Sequence, residues 1–272
     1  GSLLNGTVSF DMNYFHQLTD GLRTQGASAI DPAWVNGNGS LLPYLNYTRD
    51  QRSGFDFTVK ADKHFGKLEA ILGLSGMVYS SNAKRRDEVW SEDYLYRQGH
   101  ALDAQWAYVC EGFFNDEADI ENHAKQTFGE VKPGDLKYKD INNDGVIDSK
   151  DQIDLGKAGW GATPFVYGFN LTLKYNRFTF YVDGTGNMGG IGFKNSSYYW
   201  LKGTSKYSAV ARGRWTPETA ATATYPRLTT KDNSNNLRNS TFWLKSTDRF
   251  DLGRVQLTYD LPDNWFTGKV VS

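Results

Sequence analysis

Alternation of apolar and polar side chains along the chain constrains its fold more than any other feature of the sequence. Between residues 165 and 175, every second position from Phe165 to Tyr175 is large and apolar, and the intervening positions are small or polar. Asn176 and Arg177 then lead into a second stretch with the same alternation. A period of two places one set of side chains on one face of a strand, so the sequence predicts a β-hairpin here.

The same alternation occurs in four other segments, at residues 8–14, 55–62, 68–78 and 254–261. The short connection at Phe65, Gly66 and Lys67 predicts a second hairpin between residues 55 and 78. Near the end of the chain, Phe250 and Leu252 fall out of phase with the apolar residues after position 254. If both sets face the same way, the strand needs a β-bulge near Gly253.

Very unequal connections separate these strands. Tight turns alternate with polar segments at roughly 19–53, 80–103, 111–163 and 186–245. Compact soluble domains rarely contain structureless loops beyond about 15 residues, whereas outer-membrane barrels combine short periplasmic turns with long extracellular loops. We therefore expect an all-β chain that forms an antiparallel transmembrane β-barrel segment, although periodicity alone equally allows a soluble β-sandwich.

Composition excludes several other classes of protein. Lys plus Arg total 30 against 31 Asp plus Glu, and no dense basic cluster is present, so a nucleic-acid partner is not expected. No run approaches the ~18 apolar residues of a membrane helix. Cys110 is the only cysteine, and the four histidines lack metal-ligand spacing.

One acidic segment matches the spacing of a calcium-binding loop. Positions 1, 3, 5, 7, 9 and 12 of that spacing are Asp140, Asn142, Asp144, Val146, Asp148 and Asp151. Calcium takes six to eight oxygen ligands, and Gly145 permits the sharp turn that lets alternate side chains converge. Asp151 replaces the bidentate Glu of an EF-hand and reaches less far. The alternative is a turn rich in Asp and Asn that caps its own backbone.

Aromatic residues in the long connections are candidates for ligand contact, because flat rings stack on sugars or grip peptide side chains. These residues are Trp34, Trp90, Trp160, Tyr198, Tyr199, Trp200 and Trp215. Most such residues are instead expected to pack loops against one another. The acidic stretch 115–121 could offer paired carboxylates for glycoside hydrolysis, but acidic loops are usually only solvated.

Several motifs resemble the SusC/RagA family of TonB-linked outer-membrane proteins. Residues 133–148 read PGDLKYKDINNDGVID, similar to the family's PGDIKYKDxNGDGxID, and Asp151 and Gly156 follow. Residues 164–168, EGFF at 111–114, RWTPE at 214–218, YPRL at 225–228 and the stretch 242–262 resemble further family segments. Departures occur at residues 159–163 and 248–252.

The resemblance implies that residues 1–272 are the C-terminal part of a 22-stranded barrel in the outer membrane of a Gram-negative bacterium. It implies import of oligosaccharides or peptides, a SusD-like lipoprotein as lid, TonB as energy source, lipid contact and no catalysis. The loop 133–156 would hold structural Ca²⁺. The plug, the TonB box and the terminal strand would lie outside this chain. The competing hypothesis is a secreted β-sandwich that binds glycans and carries a calcium loop.

Overall fold

The computed structural model describes residues 1–4, 6–26, 28, 42–203, 207–231 and 233–262. Strands dominate them. In chain order they are β1 (Ser2–Leu3), β2 (Val8–Gln25), β3 (Tyr44–Phe65), β4 (Leu68–Arg85), β5 (Ala104–Tyr108), β6 (Cys110–Phe113), β7 (Lys125–Gln126), β8 (Leu136–Tyr138), β9 (Val146–Ile147), β10 (Gln152–Lys157), β11 (Phe165–Tyr175), β12 (Phe178–Met188), β13 (Ile191–Phe193), β14 (Leu244–Ser246) and β15 (Arg249–Tyr259). The one α-helix described is α1 (Glu117–Glu121), and 3-10 turns cover Asp93–Leu95, Ser149–Asp151 and Ala209–Gly213. None of the helices in this part of the chain is long and apolar enough to cross a bilayer.

A seven-stranded antiparallel sheet organises the molecule, in the order β1-β2-β3-β4-β11-β12-β15. Both predicted hairpins are confirmed. Gly66 turns β3 into β4 with a φ of 62°, and Asn176 turns β11 into β12 with a φ of 53°. Asn is one of the few residues other than Gly that tolerates this left-handed conformation.

One face of the large sheet carries large apolar side chains that lie open. They include Phe10, Met12, Tyr14, Phe55, Leu72, Leu74, Val78, Leu252, Val255 and Leu257. Their exposed fractions run from 39% for Leu72 to 70% for Leu257. A β-sandwich would bury this face against a second sheet, but every other sheet described has only two strands. The exposed face therefore fits a barrel wall whose apolar side meets lipid.

Aromatic rings on this face lie over glycines of β12. A Cβ added to Gly184 would lie 2.7 Å from Cζ of Phe250 and 3.0 Å from Cε1 of Phe169. The two rings are nearly parallel, with centroids 6.0 Å apart. Tyr167 covers Gly186 in the same manner. The small residues thus let aromatic side chains lie flat across the strand, which compensates for the weak packing of glycine in a sheet.

The bulge predicted in β15 is confirmed. Asp183 pairs with Arg254 and Gly184 pairs with Leu252, so Gly253 is the extra residue. The bulge resets the phase of the strand, and both Leu252 and Val255 are exposed at 58%. Apolar residues before and after Gly253 therefore share the lipid-facing side, as the two out-of-phase segments require.

The strand lengths correct the sequence prediction at one end of the sheet. Residues 19–53 and 80–103 were expected to be loops, yet β2 runs to Gln25, β3 starts at Tyr44 and β4 ends at Arg85. These extensions contain Asp20, Arg49 and Arg85, which form two ion pairs centred on the Asp20 carboxylate. Polar side chains on both faces erase the alternation that marks the rest of each strand.

The long connections also fold, instead of remaining without structure. Their hydrophobic core, called the loop core below, consists of Tyr108, Phe128, Leu136, Tyr138, Ile147, Leu201, Tyr225 and Trp243. Buried amides complete it: Asn236 accepts from the backbone N–H of Leu136 at 2.7 Å and donates to Asp135 at 2.7 Å. Arg227 pairs with the fully buried Asp135 at 2.8 Å. The side-chain amide of Asn236 and the carboxylate of Asp135 thus both meet partners, as buried polar groups require.

Candidate functional site

The acidic loop at residues 140–151 folds around its own carboxylates. Asp140 accepts backbone N–H bonds from Asn143 at 2.7 Å and from Gly145 at 2.9 Å. Positive φ values at Asn143 (59°) and Gly145 (81°) make this turn possible. Asp144 accepts from the N–H of Val146 at 2.9 Å, and this bond, followed by one from Asn142, lowers the pKa of the Asp144 carboxyl.

Asp151 joins the two ends of the loop. Its carboxylate accepts from the N–H of Ile141 at 2.8 Å and from the N–H of Asp148 at 2.8 Å. The side chain is fully buried. Burial is the main cause of a raised pKa for Asp151, the two N–H bonds oppose it, and the charges of Asp140 and Asp148 add to it. Burial of the side chain therefore disfavours the ionised form of Asp151.

Tyr94 connects this loop to the neighbouring 3-10 turn. Its hydroxyl donates to the backbone carbonyl of Lys150 at 2.7 Å. Burial, and then the charge of Asp151, raise the pKa of Tyr94 to about 12. Residues 140–151 carry four aspartates against Lys150 alone, and the Lys150 ammonium lies 3.7 Å from Asp144. The loop is thus strongly anionic.

The oxygen ligands of the loop suit calcium, although three of its carboxylate groups do not lie close to one another. Each of Asp140 and Asp151 uses both oxygens for backbone N–H groups, which still leaves lone pairs for a cation. In the described part of the chain, three His, Cys or carboxylate ligand atoms within 4.8 Å of one another occur at Asp62, His64 and Glu69, and not in this loop.

A second feature is an open cavity of about 290 Å³ beside the inner face of the sheet. Asp50, Arg52, Tyr79, Ser81, Arg86, Leu102, Asp103, Trp160 and Gly161 line it. Arg86 and Asp50 form an ion pair at 2.6 Å. The buried Asp103 carboxylate accepts from the N–H groups of Gly159 and Trp160, which fixes the turn that presents the indole. Trp160 itself is 77% exposed.

The other predicted aromatic contacts have different surroundings. Trp90 is 42% exposed, and its indole N–H donates to Glu88 at 3.0 Å. Trp200 and Tyr199 pack against the loop core. Trp215 is only 8% exposed and lies across Gly134, where an added Cβ would overlap the indole. Tyr198 is 50% exposed and stacks edge-on with Tyr199. Trp34 lies outside the described residues.

Sequence reasoning missed two sets of residues. The cavity brings Asp50 and Arg52 together with Asp103, which lie in segments that were expected to be separate loops. The group of Asp62, His64 and Glu69 has no sequence motif of its own, because its residues lie on both sides of a turn. The hairpin predicted at Gly66 is the signal that places His64 opposite Glu69.

Comparison with known proteins agrees with the fold. The sequence matches no protein-family model. It is 30% identical over 277 aligned residues to TonB-dependent receptor P26 of Formosa agariphila, an alignment that covers 96% of this chain and 26% of the relative. The chain therefore spans about a quarter of the length of that curated relative.

Solved structures show the same architecture. The structure of the RagAB peptide transporter matches with a TM-score of 0.69 and 13% identity, over 99% of this chain and 28% of the other. The RagAB peptide importer in its closed-closed state matches with a TM-score of 0.68 and 14% identity, over 99% of this chain and 29% of the other. The chain is thus similar over nearly its whole length to part of a TonB-dependent receptor, and it has the fold of part of the RagAB peptide transporter.

Proposed function

We propose that this chain forms part of the wall and the external loops of an importer that takes up oligosaccharides or peptides. The observation that carries the proposal is the sheet with two unlike faces. One face exposes large apolar side chains, and the other borders the cavity that contains Trp160. Lipid on one side of the sheet and an aqueous path on the other account for the apolar face and for the face beside the cavity. The relatives are receptors and transporters, which supports transport and not catalysis.

The cavity has the chemistry to contact such a substrate. Arg52 and Arg86 lie beside Asp50 and Asp103, so both signs of charge are present. The exposed indole of Trp160 provides a flat apolar surface. An indole among paired charges can stack on a sugar ring or hold a peptide side chain while polar groups bond to the rest.

We further propose that a SusD-like lipoprotein covers the long connections and that TonB acts through regions of the receptor outside this chain. The RagAB structures are described as those of a peptide transporter. The long connections fold around the loop core, so they offer a lipoprotein partner a defined outer surface. Calcium bound in the loop 133–156 would act as a structural staple. The anionic loop and the buried Asp151 carboxylate support this role.

Trp160 provides the test of the transport proposal. Cells with the intact receptor and cells without it are given a mixture of peptides and oligosaccharides, and depletion of each is followed by mass spectrometry. We expect the wild type to deplete one class. Trp160→Ala should weaken the uptake about two- to tenfold, because an aromatic contact contributes about 0.5–1.5 kcal/mol.

Trp90→Ala is the matched control, since Trp90 is also an exposed indole but lies outside the cavity lining. Its uptake should equal that of the wild type. Equal depletion by cells with and without the receptor would refute transport of these substrates. Equal uptake by the two variants would remove Trp160 from the substrate path.

A further inference from the structure

A cluster of mixed ligands lies beside the β3–β4 turn, remote from the acidic loop and from the Trp160 cavity. Asp62, His64 and Glu69 each offer one ligand atom, and these atoms all lie within 4.8 Å of one another. His64 stands directly opposite Glu69 in the register of β3 and β4. Asp62 is two residues before His64 on β3, so the period of the strand puts it on the same face.

The backbone holds these side chains in place before any ligand arrives. Strands β3 and β4 are paired without interruption from Asp50 to Phe65. Asp62 also donates its backbone N–H to the carbonyl of Thr7 at 2.8 Å, which ties the position to the strand on the other side. The cluster thus lies on paired strand ends, which hold metal ligands more precisely than a loop does.

One protein cation competes for the cluster. The Lys174 ammonium lies 3.2 Å from the Glu69 carboxylate, and Lys174 is the register partner of Glu69 on β11. The Lys174 ammonium therefore already pairs with the Glu69 carboxylate, and a neutral His64 adds no positive charge to the cluster. A divalent cation would take the Glu69 oxygen and release Lys174.

We propose that Asp62, His64 and Glu69 bind a divalent transition-metal ion, of which Zn²⁺ is the test case. One imidazole nitrogen with two carboxylate oxygens suits Zn²⁺ or its neighbours in the first row, whereas Ca²⁺ and Mg²⁺ select oxygen alone. The bound ion joins β3 to β4 beside the turn and acts as a structural clip, with water at the remaining positions. This site depends on the hairpin alone and not on the transport proposal.

Zinc titration of the intact receptor tests the site. The receptor is purified in detergent, stripped with a chelator and titrated with Zn²⁺ in a calorimeter. His64→Ala should lose one equivalent of Zn²⁺ or weaken its binding at least tenfold. His16→Ala is the matched control, because His16 is also exposed on a strand but does not belong to the cluster, and it should bind as the wild type does.

Lys174→Gln provides a second variant, for which zinc affinity is expected to rise and not to fall. Removing the competing ammonium should tighten zinc binding several-fold, a gain that misfolding cannot produce. Unchanged stoichiometry and affinity in His64→Ala would overturn the proposal. Weaker binding in Lys174→Gln would show that the lysine supports the ion and would overturn the coordination described here.

Discussion

Asp151 is the residue at which burial and negative charge oppose each other most directly. Its carboxyl is fully buried and has a raised pKa, chiefly because burial disfavours the charged form. Folding therefore favours the protonated form of Asp151 relative to the unfolded chain. Stability should therefore fall as pH rises from the ordinary value of 3.8 through the raised pKa of the folded state. Calcium should reverse this loss, because it binds the ionised carboxylate.

Calcium-dependent melting of the intact receptor measures this effect. Saturating Ca²⁺ at about 100 times its dissociation constant should stabilise the wild type by about 2.7 kcal/mol at neutral pH. The gain should shrink as pH falls through the raised pKa of Asp151, and Asp151→Asn should lose most of it. Glu130→Gln removes the same charge at a residue outside the loop and should keep the gain. A calcium response of equal size in Asp151→Asn would exclude Asp151 as a ligand.

At this same scale, the sequence predicts chemistry well where ligands are neighbours in the chain. The positions of Asp140 to Asp151 and the turn at Gly145 could be predicted because a local loop sets their spacing. The contact of Asn236 with Asp135 joins residues that are 101 positions apart in the chain, so no local sequence pattern predicts it. Burial of Trp215 against Gly134 follows from the same long-range packing and is equally invisible in the sequence.

At the level of elements, strand existence was predictable and strand length was not. The boundaries of β11 and β12 follow the alternation because each of these strands has an apolar and a polar face. Beyond about residue 18 in β2 and before about residue 54 in β3, polar side chains predominate and the apolar ones no longer alternate regularly, yet the backbone pairing continues to Gln25 and Tyr44. Hydrogen bonds between the two strands, not a hydrophobic pattern, maintain these extensions.

The bulge at Gly253 gives an element-scale prediction. Deleting Gly253 from the intact receptor should convert β15 into a regular strand, because Gly253 is the extra residue between the pairs Asp183–Arg254 and Gly184–Leu252. Leu252 would still share the face of Val255, since Arg254 alone would then separate the two, and Asp251 would still face inward. A cysteine placed at Asp251 should therefore react with a water-soluble maleimide in the bulged protein and keep that reactivity after the deletion.

Two features make the labelling experiment specific. Gly253→Ala keeps the residue count and should keep the reactivity of the cysteine at 251. The native thiol Cys110 should react slowly, because burial raises its pKa to about 11. Lost labelling after deletion of Gly253 would mean that the deletion reverses the faces of the residues before it, and that Gly253 is not the extra residue of a bulge.

At the scale of the whole molecule, the unlike faces of the large sheet decide between a barrel wall and a sandwich. Leu74 and Ser75 are adjacent in β4 and both exposed, yet they point to opposite faces. Leu74 lies between its register partners Val59 and Phe169, all apolar. Ser75 lies on the inner face next to Gly168. Substitutions at Leu74 and Ser75 therefore test the apolar face and the inner face of the sheet at nearly the same height along β4.

Arginine at each position should therefore have unequal costs in the intact receptor folded into lipid vesicles. Leu74→Arg places a charge in hydrocarbon and should reduce the unfolding free energy by about 2–4 kcal/mol, whereas Ser75→Arg meets water and should cost about 1 kcal/mol or less. Urea titration of both variants measures the difference. Equal costs would mean that water or protein covers the apolar face, and the chain would then not line a membrane. A larger cost at Ser75 would mean that the inner face, not the Leu74 face, is the buried one.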